Sequence, residues 1–283
     1  MIQQWHGPSA IRCFILTSKH FIFTGKRPAL THKRLAGLII PLIVVGVVIS
    51  LADADQILFI HINKLAQHLP DMIWTNITNM GSTLVGAVLI SLLWHKYPHL
   101  VLHTMITGTL CTLCVYSLKI GLDITRPHLA LDHQLFHFIT TGINSPARPS
   151  GHTATAFFVA GTWLTLIDSR PVQALILILA NLIALSRIAI GVHWPLDLIW
   201  GAVIGLSMGV VGSGIIRQMI PSSPKAEELY RALGSVLCLL LAYYFYLRPL
   251  PYPDTNTASY SLIYALLGYS LGRLVYRLSV DKK

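Results

Sequence analysis

Apolar and polar positions alternate on a long scale in this chain. Eight windows carry at most two charges each and approach the length of about 17 to 25 residues that a membrane-crossing helix needs. They run approximately over 36–52, 73–94, 100–122, 152–169, 171–190, 194–216, 230–247 and 260–277. The first and the last two are short or interrupted, so the expected count is eight, within a range of six to eight. Between the first two windows, Leu58, Ile62, Leu65 and Leu69 fall on one helical face and His61, Lys64 and His68 on another. This predicts a short amphipathic helix in the membrane interface, either a plain connector or a gate for lipid access. Residues 123 to 150 form the longest irregular connection between windows, broken by Pro127, Gly142, Pro146 and Pro149. Long ordered loops are usually functional.

Composition fixes the solvent. The 283 residues are 54% hydrophobic and 11% charged, with a mean hydropathy of +0.63, which places the chain among integral membrane proteins. A net charge of +10 would suit nucleic acid, but the basic residues sit at window ends without a stripe of interleaved aromatics, so no nucleic-acid partner is expected. The basic, aromatic lead over 1–35 suits the cytoplasmic membrane surface or serves as a topogenic tail. Its apolar run Cys13 to Leu16 is too short for a signal-peptide core. With a cytoplasmic amino terminus, 15 of the 21 basic residues lie inside; the outer six are Lys64, Lys119, Arg126, Arg148, Arg187 and Arg248. Cys111, Cys114 and Cys238 lie in apolar windows and read as packing residues.

Four of those six outer cations fall in one stretch, residues 119 to 197, which holds three polar clusters: Lys119 with Arg126-Pro127, then Pro149-Ser150-Gly151-His152, then Ser186-Arg187 with His193 and Asp197. Charges at the ends of membrane segments are costly and mark a functional site. Windows 152–169 and 171–190 cross out and back, so parity returns Arg187, His193 and Asp197 to the face holding Lys119 and His152. Trp194-Pro195 suits a first helical turn, and the spacing of His193 and Asp197 lets the carboxylate orient the imidazole. Ser150-Gly151 open a helix whose first N–H groups favour an anion.

Three fixed cations exceed what a neutral substrate needs, and arginine matches phosphate oxygens in a bidentate manner. His193, oriented by Asp197, can attack phosphorus, and His152 can protonate the leaving oxygen. No metal or other cofactor is called for, and no Asp/Glu pair suited to Mg²⁺ accompanies the clusters. His128, His133 and His137 in the long loop read as solvated or interfacial rather than as zinc ligands. Gly205, Ser207, Gly209, Gly212 and Gly214 read as small residues for close helix packing. Tyr243, Tyr244, Tyr246, Tyr252 and Tyr260 read as interface anchors.

Lys119-x6-Arg126-Pro127, Pro149-Ser150-Gly151-His152 and Ser186-Arg187-x5-His193-x3-Asp197 resemble the three-part signature of the type 2 phosphatidic acid phosphatase (PAP2) superfamily, membrane branch. The resemblance covers roughly 36–217 and implies an all-α, polytopic helical bundle: a six-helix core over 36–217 after the basic segment 1–35, then two additional transmembrane helices and a basic tail over 218–283. It implies that Lys119, Arg126, Ser150, Gly151 and Arg187 hold phosphate, that His152 is the general acid, His193 the nucleophile and Asp197 its partner. No metal is implied, and the site would lie on the extracytoplasmic face of the cell (inner or plasma) membrane. Arg148 stands outside the signature; it reads as a further phosphate or pyrophosphate contact or as a solvated loop cation.

The expected function is hydrolysis of a phosphomonoester or pyrophosphate on a lipid headgroup, with phosphatidic acid, phosphatidylglycerol phosphate, undecaprenyl pyrophosphate and a lipid A phosphate as candidates. The alternatives are a lipid-to-lipid phosphotransferase using the same site and a non-catalytic transporter or scaffold.

Overall fold

The computed structural model of the chain describes residues 32–139, 144–219, 223–248, 250 and 256–280. They fold into helices, with no strand among the described residues. In chain order these are α1 (His32–Leu51), α2 (Asp55–Ala66), α3 (Asp71–Asn79), α4 (Thr83–Ser91), α5 (Leu100–Leu122), α6 (Pro127–Ala130), α7 (Gly151–Leu164), α8 (Arg170–Ala189), α9 (Pro195–Met219), α10 (Pro224–Leu247) and α11 (Asn256–Val280). The basic lead lies almost wholly outside the described residues, as does Tyr252.

Every apolar window falls on helix, and the chain is an all-α membrane bundle. Among the described residues, five helices are long and apolar enough to cross a membrane, or six, the lower end of the expected range, if α3 and α4, bent by 66° at their junction, count as one broken span. Two windows drop out for different reasons. In α11 the serines, tyrosines, Arg273 and Arg277 dilute the apolar run. Helix α7 has 14 residues, roughly 21 Å of helix against a hydrocarbon core of about 30 Å. It is buried on nearly every side, from Thr153 to Leu164, so protein rather than lipid surrounds it.

Helix α9 is what surrounds it most closely. Gly201, Gly205 and Gly209 recur every fourth residue and face Ser150, Ala154 and Phe158, which have the same spacing on α7. A Cβ at Gly201 would stand 2.7 Å from the Ser150 carbonyl oxygen, and those at Gly205 and Gly209 would press still harder on the α7 backbone. The two helices therefore meet backbone to backbone, as small-residue stripes allow. Gly212 is packed against the side chain of Thr107, whereas Gly214 faces open space.

Helix α2 forms as the amphipathic pattern predicts, but its buried residues are Phe59 and Asn63. Leu65 and Leu69, on the predicted apolar face, are exposed. Phe59 is seated edge-on to Phe136 and Trp194, with ring centroids 5.1 and 5.2 Å away. The C-terminal pair α10 and α11 packs on α4 and α5: Ser270 bonds Ser91 at 2.8 Å, and Gly234 lies against Trp94. Cys111 and Cys238 are buried there, as expected of packing residues.

Candidate active site

The three sequence clusters meet. Arg126 Nη1 lies 3.2 Å from His193 Nε2 and donates to the Val192 carbonyl at 3.0 Å. Its Nε donates to the Ser145 carbonyl at 2.6 Å, and Lys119 Nζ donates to those of Pro146 and Ala147 at 2.5 and 2.9 Å. Both cations thus gather the end of the long loop just before it enters α7. The loop turns into the helix through a cis Arg148–Pro149 bond. Ser150 caps α7, its hydroxyl accepting from the Thr153 N–H at 3.4 Å, while its own N–H donates to the Asp197 carbonyl at 2.9 Å. Gly151 and His152 follow as the first helical residues.

Chain direction into His193 is set by Gly191. Its φ of +82° is one that side-chain-bearing residues rarely adopt, and a Cβ would stand 2.7 Å from the His137 carbonyl oxygen. His193 itself is 2% exposed. Its Nδ1 is 3.1 Å from Asp197 Oδ2, which also accepts the Trp194 N–H at 2.9 Å. Arginine can only donate, so the Arg126 contact assigns the lone pair to Nε2 and the proton to Nδ1, facing the carboxylate. Burial first, then the charges of Arg126, Arg187 and Lys119, push the His193 pKa well below the ordinary imidazole range. His193 is therefore neutral at neutral pH, with its Nε2 lone pair facing the Arg126 guanidinium.

Arg187, at the end of α8, donates from Nη1 to Thr78 Oγ1 at 2.8 Å. Its charge, with those of Arg126 and Lys119, acts on His152 as well as on His193, so both histidines share one cationic field. The backbone of the α3–α4 junction comes up against His152: a Cβ at Gly81 would stand 3.0 Å from the His152 Cβ.

Arg148 is not a solvated loop cation: its Nε donates to Asp197 Oδ1 at 3.0 Å and its Nη2 to Asp55 Oδ2 at 2.7 Å. Two carboxylates hold it behind the histidine pair. Asp55 Oδ1 also accepts the Leu196 N–H at 2.9 Å. Burial raises the Asp55 pKa, opposed by that N–H and by Arg148.

Asp55, Thr78 and Gly81 do not stand out in the sequence reading. Asp55 had one usable signal, a carboxylate placed next to a face rich in cations. Thr78 and Gly81 lie in Thr75-Asn76-Ile77-Thr78-Asn79-Met80-Gly81-Ser82, a polar and glycine-bearing interruption of an apolar window that signals a break. The loop histidines have local partners. His137 pairs with Asp71 at 2.8 Å, His133 lies 2.9 Å from the His128 carbonyl, and His128 stacks on Phe138.

Fold and site together define a multi-pass membrane protein with a histidine–carboxylate centre ringed by cations. A family model for the PAP2 superfamily matches residues 98–219, which contain all three clusters. Among solved structures, the chain is 30% identical to Aquifex aeolicus LpxE, covering 56% of this chain and 93% of that one with a TM-score of 0.48. It is 21% identical to a transmembrane PAP2 type phosphatidylglycerolphosphate phosphatase from Bacillus subtilis, covering 67% of this chain and 98% of that one with a TM-score of 0.49. No curated protein sequence matches the chain significantly. Residues 98–219 are therefore a PAP2 superfamily region, and the whole site apart from Asp55, Thr78 and Gly81 lies within it.

Proposed function

We propose that this protein hydrolyses a phosphomonoester or pyrophosphate on a lipid headgroup through a phosphohistidine on His193. The observation that carries the reading is the Arg126–His193–Asp197 line, with Nε2 accepting from a guanidinium at 3.2 Å and Nδ1 held by a carboxylate at 3.1 Å. It is a nucleophile in the correct tautomer beside a cation suited to phosphoryl oxygens.

The proposed steps balance as follows. Nε2 of His193 attacks phosphorus while Arg126, Arg187, Lys119 and the Ser150-Gly151 helix start hold the phosphoryl oxygens. The P–O bond to the lipid breaks, and His152, which takes up a proton when the bound phosphate's negative charge offsets the surrounding cations, gives that proton to the leaving oxygen. Neutral His152 then takes a proton from water, whose oxygen attacks phosphorus. The P–N bond breaks, releasing inorganic phosphate and restoring His193. Asp197 keeps the imidazole oriented and balances the charge it gains.

A lipid substrate is supported by a cavity of about 390 Å³ beneath the site. Its lining runs from Thr83, just past the His152 contact, and Thr155, one turn after His152, down to Trp94. Leu237 and Leu241 of α10 close one side. In this reading 36–217 is the catalytic core, and within 218–283 helix α10 adds a wall for the hydrocarbon tails. The positive-inside count favours an extracytoplasmic site in the cell membrane with a cytoplasmic amino terminus.

The test is phosphate release by purified protein from phosphatidic acid, phosphatidylglycerol phosphate, undecaprenyl pyrophosphate and a lipid A phosphate, with and without EDTA. The expected result is EDTA-resistant release from at least one lipid, abolished by His193→Ala. Absence of release from all four, or release unchanged by His193→Ala, overturns the proposal; loss with EDTA overturns its metal-free form.

A further inference from the structure

One buried polar side chain next to the site has no role in the mechanism above. Thr75, Thr78 and Asn79 form the buried face of α3. Thr75 bonds the backbone of its own helix, and Thr78 holds Arg187. Asn79 is 1% exposed, and neither Nδ2 nor Oδ1 hydrogen-bonds to any described residue. Buried amides almost always have partners, because desolvation without one destabilises the fold. Asn79 therefore requires a physical explanation.

Its surroundings supply one. One residue before it, Thr78 places α3 against the Arg187 guanidinium at 2.8 Å. Two residues after it, Gly81 lies against His152. The chain bends by 66° across this junction, so Asn79 lies in the chain between the residue that holds Arg187 and the residue that meets His152. An amide has two N–H donors and a carbonyl. Nδ2 suits a phosphoryl oxygen, and Oδ1 suits the hydroxyl of a protonated phosphate or of the adjoining headgroup.

We infer that Asn79 is a phosphate-binding residue, contributed from outside the segment that carries the three motifs, and that its amide gains its partner when the phosphate binds. The inference rests on the proposed function for the location of the phosphate. It differs in kind from a packing role, because an amide satisfied only by ligand contributes nothing to the free protein. Replacing it with leucine, which branches at the same atom and has no polar atoms, should leave the fold as stable or more stable while weakening anion binding.

The experiment compares wild type and Asn79→Leu in detergent by thermal unfolding, first without ligand and then across a titration of inorganic phosphate. The expected result is an unchanged or higher Tm without phosphate, and about tenfold or more phosphate required for the same upward shift, as for loss of a hydrogen bond to a charged group. Asn79→Asp, which sets a carboxylate against the anion, should weaken the shift further. Equal phosphate dependence in wild type and Asn79→Leu overturns the inference. So does a Tm that falls in Asn79→Leu, since the amide would then be satisfied within the fold. Failure of the functional reading appears separately: a wild type that binds phosphate through Asn79 but releases none from lipids loses the phosphatase and keeps this site. A wild type that phosphate does not stabilise loses both.

Discussion

Arg148 lies behind Asp197, donating to it from Nε at 3.0 Å, so a cation adjoining the Pro-Ser-Gly-His motif holds the carboxylate that contacts His193. Its other end reaches Asp55, and both Arg148 and Asp55 are less than one-fifth exposed. Removing one partner of a buried ion pair leaves an uncompensated charge. Arg148→Ala should lower stability by about 3–5 kcal/mol. Asp55→Asn keeps an oxygen for the Leu196 N–H and should cost about 1–3 kcal/mol. Denaturation in detergent measures both, and a larger loss for Asp55→Asn than for Arg148→Ala would contradict the arrangement.

The neutral state of His193 predicts a pH profile. With its pKa pushed well below the imidazole value, Nε2 keeps its lone pair as pH falls through about 6.5, so the acid limb of kcat/KM due to this group should lie below that value. The stability sign follows from the same shift. Below about pH 6.5 the unfolded chain binds a proton that the folded chain refuses, so His193 makes stability decline with acidification. Arg126→Gln removes a cation contributing to the shift and should move residual activity's acid limb toward higher pH. Rate profiles and unfolding midpoints across that range check both statements.

The α7–α9 seam predicts a contrast between two glycines of one helix. Gly205→Ala drives a methyl into the Ala154 carbonyl, and backbone cannot yield as a side-chain tip does. It should destabilise by about 1–3 kcal/mol or more. Gly214→Ala meets nothing within 4 Å and should be neutral or slightly stabilising through helix propensity. Thermal unfolding of the two variants side by side is the measurement.

Helix α10 offers a test of tail recognition. Leu237→Trp adds bulk to the wall of the cavity beneath His152. On the proposed reading it should reduce phosphate release from long-chain lipids several-fold more than from short-chain ones, since the reacting groups are untouched. Assays on one headgroup carrying different chain lengths decide it; equal loss across lengths would remove α10 from substrate selection.

Much of this was legible from hydrophobic spacing and from charges placed where a membrane makes them costly. Lys119, Arg126, His152, Arg187, His193 and Asp197 declared themselves because no packing role explains a cation or imidazole at a segment end. The supports were harder to read. Asp55 acts through Arg148, 93 residues away, a pairing that no local period encodes. Helix α7 looked like an ordinary span because apolar residues serve equally against lipid and against protein. Its close seat against α9 comes from that helix's glycines, which only the packed structure displays.

Asn63 constrains how the molecule can move. Its Nδ2 donates to the carbonyls of His137, Ile188 and Ala189 at 2.9, 2.9 and 3.1 Å, and its Oδ1 accepts the His137 N–H at 2.7 Å. One amide thus rivets α2 to the strap of chain that delivers His193. If α2 swung aside, it would tear those contacts and slacken the strap that carries His193. In mechanical terms α2 and that strap are one rigid block.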